Sequence, residues 1–237
     1  MTAARIAANL ASVRDRIAEA ARRSGRLSED VTLVAVTKYA QIEQVLALVD
    51  AGVRDLGESR PQELWHKADE LDKLRVDSEV RWHLVGPLQR NKSRRTLPYV
   101  SLIHSVESWR LLEAIDRLAS ERGRPTAVLL EVNTSGEAAK HGFAPAELPP
   151  LADRLTALEQ VRVRGLMTIA GFAGGADEAR REFSRLRELR DEMRARISGA
   201  PPGRVAFDEL SMGMSGDFEI AVEEGATLVR VGSALFE

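Results

Sequence analysis

A chain of 237 residues, 44% apolar and 30% charged, is long enough for a large buried core and need not divide into two domains. Its formal net charge of −2 gives no electrostatic reason to expect nucleic acid or an anionic membrane, and no apolar run approaches the roughly 20 residues that cross a bilayer. Cysteine is absent, which excludes disulfides, thiol nucleophiles and cysteine metal ligands.

The first segment, 1–26, is rich in Ala and Arg in the manner of a transit peptide. However, Ile6, Leu10, Val13 and Ile17 recur at helical spacing, and Asp15 and Glu19 interrupt the positive charge. The pattern predicts an amphipathic helix packed on the domain. Strand-like runs follow at 31–37, 53–57, 80–85, 100–104, 126–133, 161–167, 207–211 and 227–232. Helical patterns lie between them near 41–51, 61–74, 90–96, 107–121, 146–159, 177–197 and 217–224, mostly bounded by Gly, Pro, Ser or Asp. Eight strands alternating with helices predict one α/β domain over 1–237, a (β/α)8 TIM barrel with an extra N-terminal helix. An open doubly wound sheet is the competing architecture, but no G-x-G-x-x-G follows the first strand.

The dense charge run from Glu178 to Arg196 reads as a solvated helix face, because Phe183, Leu186, Leu189, Met193 and Ile197 recur every three or four residues. Ala173-Gly174-Gly175-Ala176 reads as a loop after strand six. Gln89 to Arg95 is locally basic and could meet an anion, although a solvated helix explains it as well.

In a barrel of this kind the C-terminal strand ends open onto one face, where sites are built. That places Lys38, Gly57-Glu58-Ser59, His83 to Gly86, His104-Ser105, Asn133, Met167, Ser211 to Ser215 and Arg230 to Ser233 together. Lys38 closes the apolar, β-branched run Val31-Thr32-Leu33-Val34-Ala35-Val36-Thr37, where a desolvated amine would be a neutral nucleophile. Leu210-Ser-Met-Gly-Met-Ser215-Gly-Asp217 and Val229-Arg230-Val-Gly232-Ser233 end strands seven and eight, where such barrels recurrently bind phosphate. An amine able to form an imine, facing a Gly/Ser cradle, is what pyridoxal phosphate requires of a protein. Each piece also has a plain reading: a snorkelling lysine, a capped turn, a strand exit. His83 and His104 lie near strand ends as either structural or catalytic histidines, without metal-site spacing, and His66 and His141 have no evident partner.

At this point the residues carry a resemblance. Val-Ala-Val-Thr-Lys38, Leu-Gly-Glu58, Trp82-His83-Leu-Val-Gly86-Pro87-Leu-Gln89-Arg-Asn91-Lys92, His104-Ser105-Val, Glu-Val-Asn133 with Lys140-His-Gly142, Gly165-Leu166-Met167 and the two C-terminal turns run in order along nearly the whole chain. The chain resembles the pyridoxal phosphate homeostasis protein family, which is similar to the N-terminal barrel domain of alanine racemase. The resemblance implies a Schiff base on Lys38, a phosphate site at Ser215, Gly232 and Ser233, and Arg230 beside the cofactor at either its ring nitrogen or its phosphate. Asn133, Met167 and Met214, at matching strand ends, complete the expected cofactor-binding set. Two departures stand out: the family's common Gly-Glu-Asn-Tyr reads Gly57-Glu58-Ser59-Arg60, and the chain ends at Phe236-Glu237 where many members continue with Gly.

The resemblance implies a cytoplasmic, monomeric carrier that buffers pyridoxal phosphate or delivers it to dependent apoenzymes without a turnover of its own. An amino-acid racemase is the alternative. Such enzymes add a second domain and a catalytic tyrosine, for which Tyr39 and Tyr99 are no obvious replacements. A lysine-dependent aldolase acting on a phosphosugar is a third reading.

Overall fold

Alternating strands and helices can build an open or a closed parallel sheet, and here the sheet closes. In the computed structural model, which describes residues 1–74, 80–137, 140–171, 174–197 and 203–237, eight strands pair in parallel in chain order and form a closed barrel. They are β1 (Thr32–Val36), β2 (Asp55–Glu58), β3 (Arg81–Leu84), β4 (Val100–Val106), β5 (Thr126–Glu131), β6 (Val161–Met167), β7 (Val205–Ser211) and β8 (Leu228–Val231). The last strand closes on the first, in register from Thr32 opposite Leu228 to Ala35 opposite Val231. Val34, Val85, Leu102, Leu129, Met167 and Leu228 form a buried cluster of their own, separate from the larger core under the helices. Between β6 and β7 the backbones come so close that a Cβ on Gly165 would lie 1.9 Å from the Glu209 carbonyl oxygen, so only glycine fits.

The helices match the predicted pattern except in three places. Only short pieces replace the helix expected near 146–159: two 3₁₀ turns, Pro145–Glu147 and Pro149–Leu151, and a single turn at Ala152–Thr156. Pro149 and Pro150 explain this, since their rings and missing N–H groups interrupt a helix that would otherwise run on through them. The helix expected from 177 begins at Gly175, with Gly174 as its cap, which shortens the predicted loop; Ala173 lies outside the described residues. A one-turn helix, Ser233–Phe236, follows β8 directly. Among the described residues no helix is long and apolar enough to cross a membrane.

The N-terminal helix α1 (Ala3–Arg23) starts on a Thr2 cap, whose hydroxyl oxygen accepts the Arg5 N–H at 3.3 Å. Its stripe of Ile6, Leu10, Val13, Ile17, Ala20 and Ala21 is buried. Arg16 donates twice to Glu219 at 2.9 Å and stacks over Phe218, while Asn9 donates to the Leu235 and Glu237 carbonyls. The helix therefore braces the segment that follows β7 and β8. Leu10→Ala should cost about 2–5 kcal/mol, by lost burial plus a cavity, whereas Lys73→Ala at an exposed helical pair should stay within about 0.5 kcal/mol. Denaturant titration of the two variants checks this, and equal losses would contradict the packing described.

Candidate functional site

The strand ends open onto a cavity of about 920 Å³. Of the eight nominated residues, Lys38, Met214, Ser215, Arg230, Gly232 and Ser233 line it, together with Ser59 of the departing Gly-Glu-Ser-Arg segment. Met167 and Asn133 do not. Met167 is fully buried in the lumen cluster, its side chain pointing among apolar neighbours. Asn133 uses its polar atoms on its own loop: its amide donates to the Glu137 carbonyl at 2.8 Å, and its oxygen accepts from the Ser135 hydroxyl and the Gly136 N–H at 3.0 Å. A strand-end position identifies the correct face of the barrel, but not which way a side chain turns.

Lys38 corrects a second expectation. It is exposed rather than desolvated, with its ammonium 5.1 Å from the centre of the Tyr39 ring. Its position is held from behind. Thr37 donates its hydroxyl to Glu58 at 2.6 Å, and Lys67 donates to the same Glu58 oxygen at 2.7 Å and to the Thr37 carbonyl at 2.6 Å. All three side chains are buried. Removing one member of a buried ion pair strands the other, at about 3–5 kcal/mol, so the residue before Lys38 is firmly fixed. Sequence reading missed Lys67, although Leu64, Lys67 and Leu71 share one face of the helix Pro61–Lys73, and a lysine on an apolar stripe is the signal that could have found it.

The two C-terminal turns meet in the same cavity. Ser215 Oγ accepts the Gly232 N–H at 3.2 Å and the Ala234 N–H at 3.3 Å, leaving its own proton for another acceptor. Two amides converging on one oxygen mark a place suited to an anion's oxygen. Gly213 makes the first turn possible: its φ is +91°, and a Cβ there would lie 2.5 Å from the Ala221 Cβ. Asp217 caps the same turn by accepting the Met214 N–H at 2.5 Å, and burial pushes its carboxyl above the usual range despite that bond and the nearby Arg230. A Cβ on Gly232 would meet the Val36 carbonyl oxygen at 3.3 Å, so glycine leaves the amide-lined corner unobstructed. Amine, open cavity and amide-lined corner fit a phosphorylated aldehyde.

Arg230 is buried on the floor of the cavity. Its guanidinium donates to Ser211 Oγ at 2.7 Å and to the Thr168 carbonyl at 2.9 Å. Burial lowers its pKa to about 10, with Asp217 and Glu131 pulling the other way, so it remains cationic at neutral pH. Glu131 is itself raised, by burial and by Glu107. His83 and His104 lie beyond Arg230 and do not line the cavity. Their Nδ1 and Nε2 atoms are 2.9 Å apart; His104 Nδ1 is 2.7 Å from Ser211 Oγ, and His83 Nε2 is 3.0 Å from Asp55. His141, which had no evident partner, lies 2.9 Å from Glu107. The basic stretch forms the helix Arg90–Thr96, where Arg94 pairs with Glu121 and Arg95 stacks over Trp65.

Asp55 carries a pH dependence. Burial pushes its pKa up, but the hydrogen bonds from His83 and Arg81 outweigh that and bring it down from 3.8 to about 2. A depressed carboxyl stabilises the fold above its unfolded value and loses that contribution as acid titrates it. The stability gap between the wild type and Asp55→Asn should therefore be about 2 kcal/mol at neutral pH and should close as the pH falls from about 4 to 2. Denaturation at a series of pH values measures the gap, and one that persists unchanged at pH 2 contradicts the assignment.

Comparison with known proteins follows the same line. Residues 8–237 match the model for the N-terminal domain of alanine racemase. The pyridoxal phosphate homeostasis protein of Pseudomonas aeruginosa is 39% identical over 231 residues, which cover 98% of this chain and 94% of that protein. PipY of Synechococcus elongatus, solved with pyridoxal phosphate bound, is 38% identical with a TM-score of 0.83, covering 98% of this chain and 100% of that one. An alanine racemase from Streptomyces coelicolor shares the fold alone, at 21% identity and a TM-score of 0.73; this chain spans 58% of it.

Proposed function

Because the chain belongs to the pyridoxal phosphate homeostasis protein family, built on the barrel of the alanine racemase N-terminal domain, we propose that it binds pyridoxal phosphate as a Schiff base on Lys38 and acts in its homeostasis and delivery without a dedicated turnover. One observation carries the reading: an exposed amine at the end of β1 lines the same cavity as the corner where the Gly232 and Ala234 amides converge on Ser215. An exposed lysine suits a cofactor that must be released, since nothing is packed over it. Its partners on this reading are pyridoxal phosphate and the apoenzymes that receive it in the cytoplasm, with 1–237 acting as one domain.

The residues divide the work between two ends of the ligand. Ser215, Gly232 and Ser233 take the phosphate with two hydroxyls and backbone N–H groups. Arg230 is assigned to the ring side, since its guanidinium is tied to Ser211 and Thr168 on the floor of the cavity. When bound, the pyridine ring supplies an electron sink, and that sink is weak beside a guanidinium, which offers the ring nitrogen no carboxylate partner. Tyr39 follows Lys38 on the same wall, with its ring centre 5.1 Å from the amine, so it does not supply an acid or base on the opposite face. These features favour storage over racemisation.

Treating the holo-protein with borohydride should fix a pyridoxyl group on the peptide containing Lys38, and Lys38→Ala should abolish it. The unreduced holo-protein, incubated with L-alanine in deuterated water, should leave the α-proton in place. Labelling that survives Lys38→Ala sinks the attachment site, and Lys38-dependent deuterium exchange at an enzymatic rate makes the protein a catalyst. A second measurement addresses the phosphate: in Ser215→Ala, Ser233→Ala the preference for pyridoxal phosphate over pyridoxal should fall by about 1–3 kcal/mol for each donor lost. An undiminished preference moves the phosphate elsewhere.

A further inference from the structure

The lumen of an eight-stranded barrel is ordinarily filled by branched apolar side chains. Here one polar file crosses it. Arg230 on β8, Ser211 on β7, His104 on β4, His83 on β3 and Asp55 on β2 are all buried and form an unbroken sequence of contacts at 2.7, 2.7, 2.9 and 3.0 Å. Polar groups in such a place cost stability unless every one is satisfied, and apolar residues of similar size would serve folding as well or better. Folding alone gives no reason for the file.

The chemistry of its ends fixes its direction. A guanidinium has no acceptor, so Arg230 donates to Ser211 Oγ. With one proton on each ring, the Asp55 end settles the rest: His83 donates its Nε2–H to the carboxylate, its bare Nδ1 accepts the His104 Nε2–H, and the bare His104 Nδ1 accepts the Ser211 proton. Ionised Asp55 only accepts, here also from two Arg81 nitrogens at 2.7 and 2.6 Å. Every proton points from Arg230 toward Asp55. Burial together with the nearby His83 and Arg230 keeps His104 well below its ordinary pKa. The charged groups facing this pair of rings are Asp55 and Arg81 at one end and Arg230 at the other.

We propose that Ser211, His104 and His83 are positioning residues: a one-directional hydrogen-bonded file, anchored on Asp55, that holds the Arg230 guanidinium toward the ring side of bound pyridoxal phosphate. The cofactor half of this inference rests on the function proposed above; the direction of the file does not.

Two measurements test it separately. In the cofactor-free protein, long-range ¹H–¹⁵N spectra at neutral pH resolve the four histidines, and His83 and His104 should both be Nε2–H tautomers, with the exposed His66 and His141 as internal references. In the loaded protein, His104→Gln and His104→Leu form the decisive pair. A glutamine accepts from Ser211 through its oxygen and donates to His83 through its nitrogen, so it preserves the direction of the file; leucine breaks it. The leucine variant should bind pyridoxal phosphate roughly tenfold more weakly with a shifted absorption maximum, and the glutamine variant should stay within about twofold of the wild type. If the leucine variant does not fold, Ser211→Ala, which deletes one oxygen, takes its place. Either ring found as Nδ1–H or doubly protonated overturns the file while leaving cofactor binding intact. Equal affinities and spectra for the glutamine and leucine variants overturn the positioning role. A wild type that takes up no pyridoxal phosphate overturns the proposed function and the cofactor half together, with the tautomers still deciding the file.

Discussion

Pairing of β8 with β1 is the constraint on which everything else depends. Lys38 and the Arg230–Ser233 turn lie nearly two hundred residues apart in the chain, and only closure of the barrel makes them neighbours. With Ala35 opposite Val231, the two strands end level, so the amine and the amide-lined corner face one cavity. A slip of one residue would turn Arg230 out of the lumen, since alternate side chains point to opposite faces. The α1 brace, joined by Arg16 to Glu219 and by Asn9 to the final carbonyls, ties down the elements that precede and follow β8.

Two buried polar assemblies divide the support of the cavity between them. The Thr37–Glu58–Lys67 clamp fixes the backbone immediately before Lys38, leaving the lysine itself free and exposed. The file behind Arg230 does the converse, immobilising a side chain whose charged end must face the cavity. An exposed lysine thus stands beside a floor held by buried hydrogen bonds.

Eight strands, their order, the N-terminal helix and the two phosphate-compatible turns were legible in the sequence because each rests on local periodicity or on turn chemistry. The break in the helix near 146–159 has a local signal too, the pair Pro149-Pro150. Family motifs identified Lys38, Ser215, Arg230, Gly232 and Ser233, and the cavity brings those five together. The same reasoning also nominated Asn133 and Met167, because a strand-end position says nothing of side-chain direction.

Sequence by itself determined the barrel and the face onto which its strand ends open, since hydrophobic alternation and strand count leave few ways to close a sheet. Tertiary structure alone decided that Lys38 is exposed, that Lys67 reaches back to Glu58, and that His83, His104 and Ser211 stand in line behind Arg230. Those relations join residues on different strands and helices, and no local pattern encodes them. They follow from the register in which the strands pair and from the need of every buried donor and acceptor for a partner.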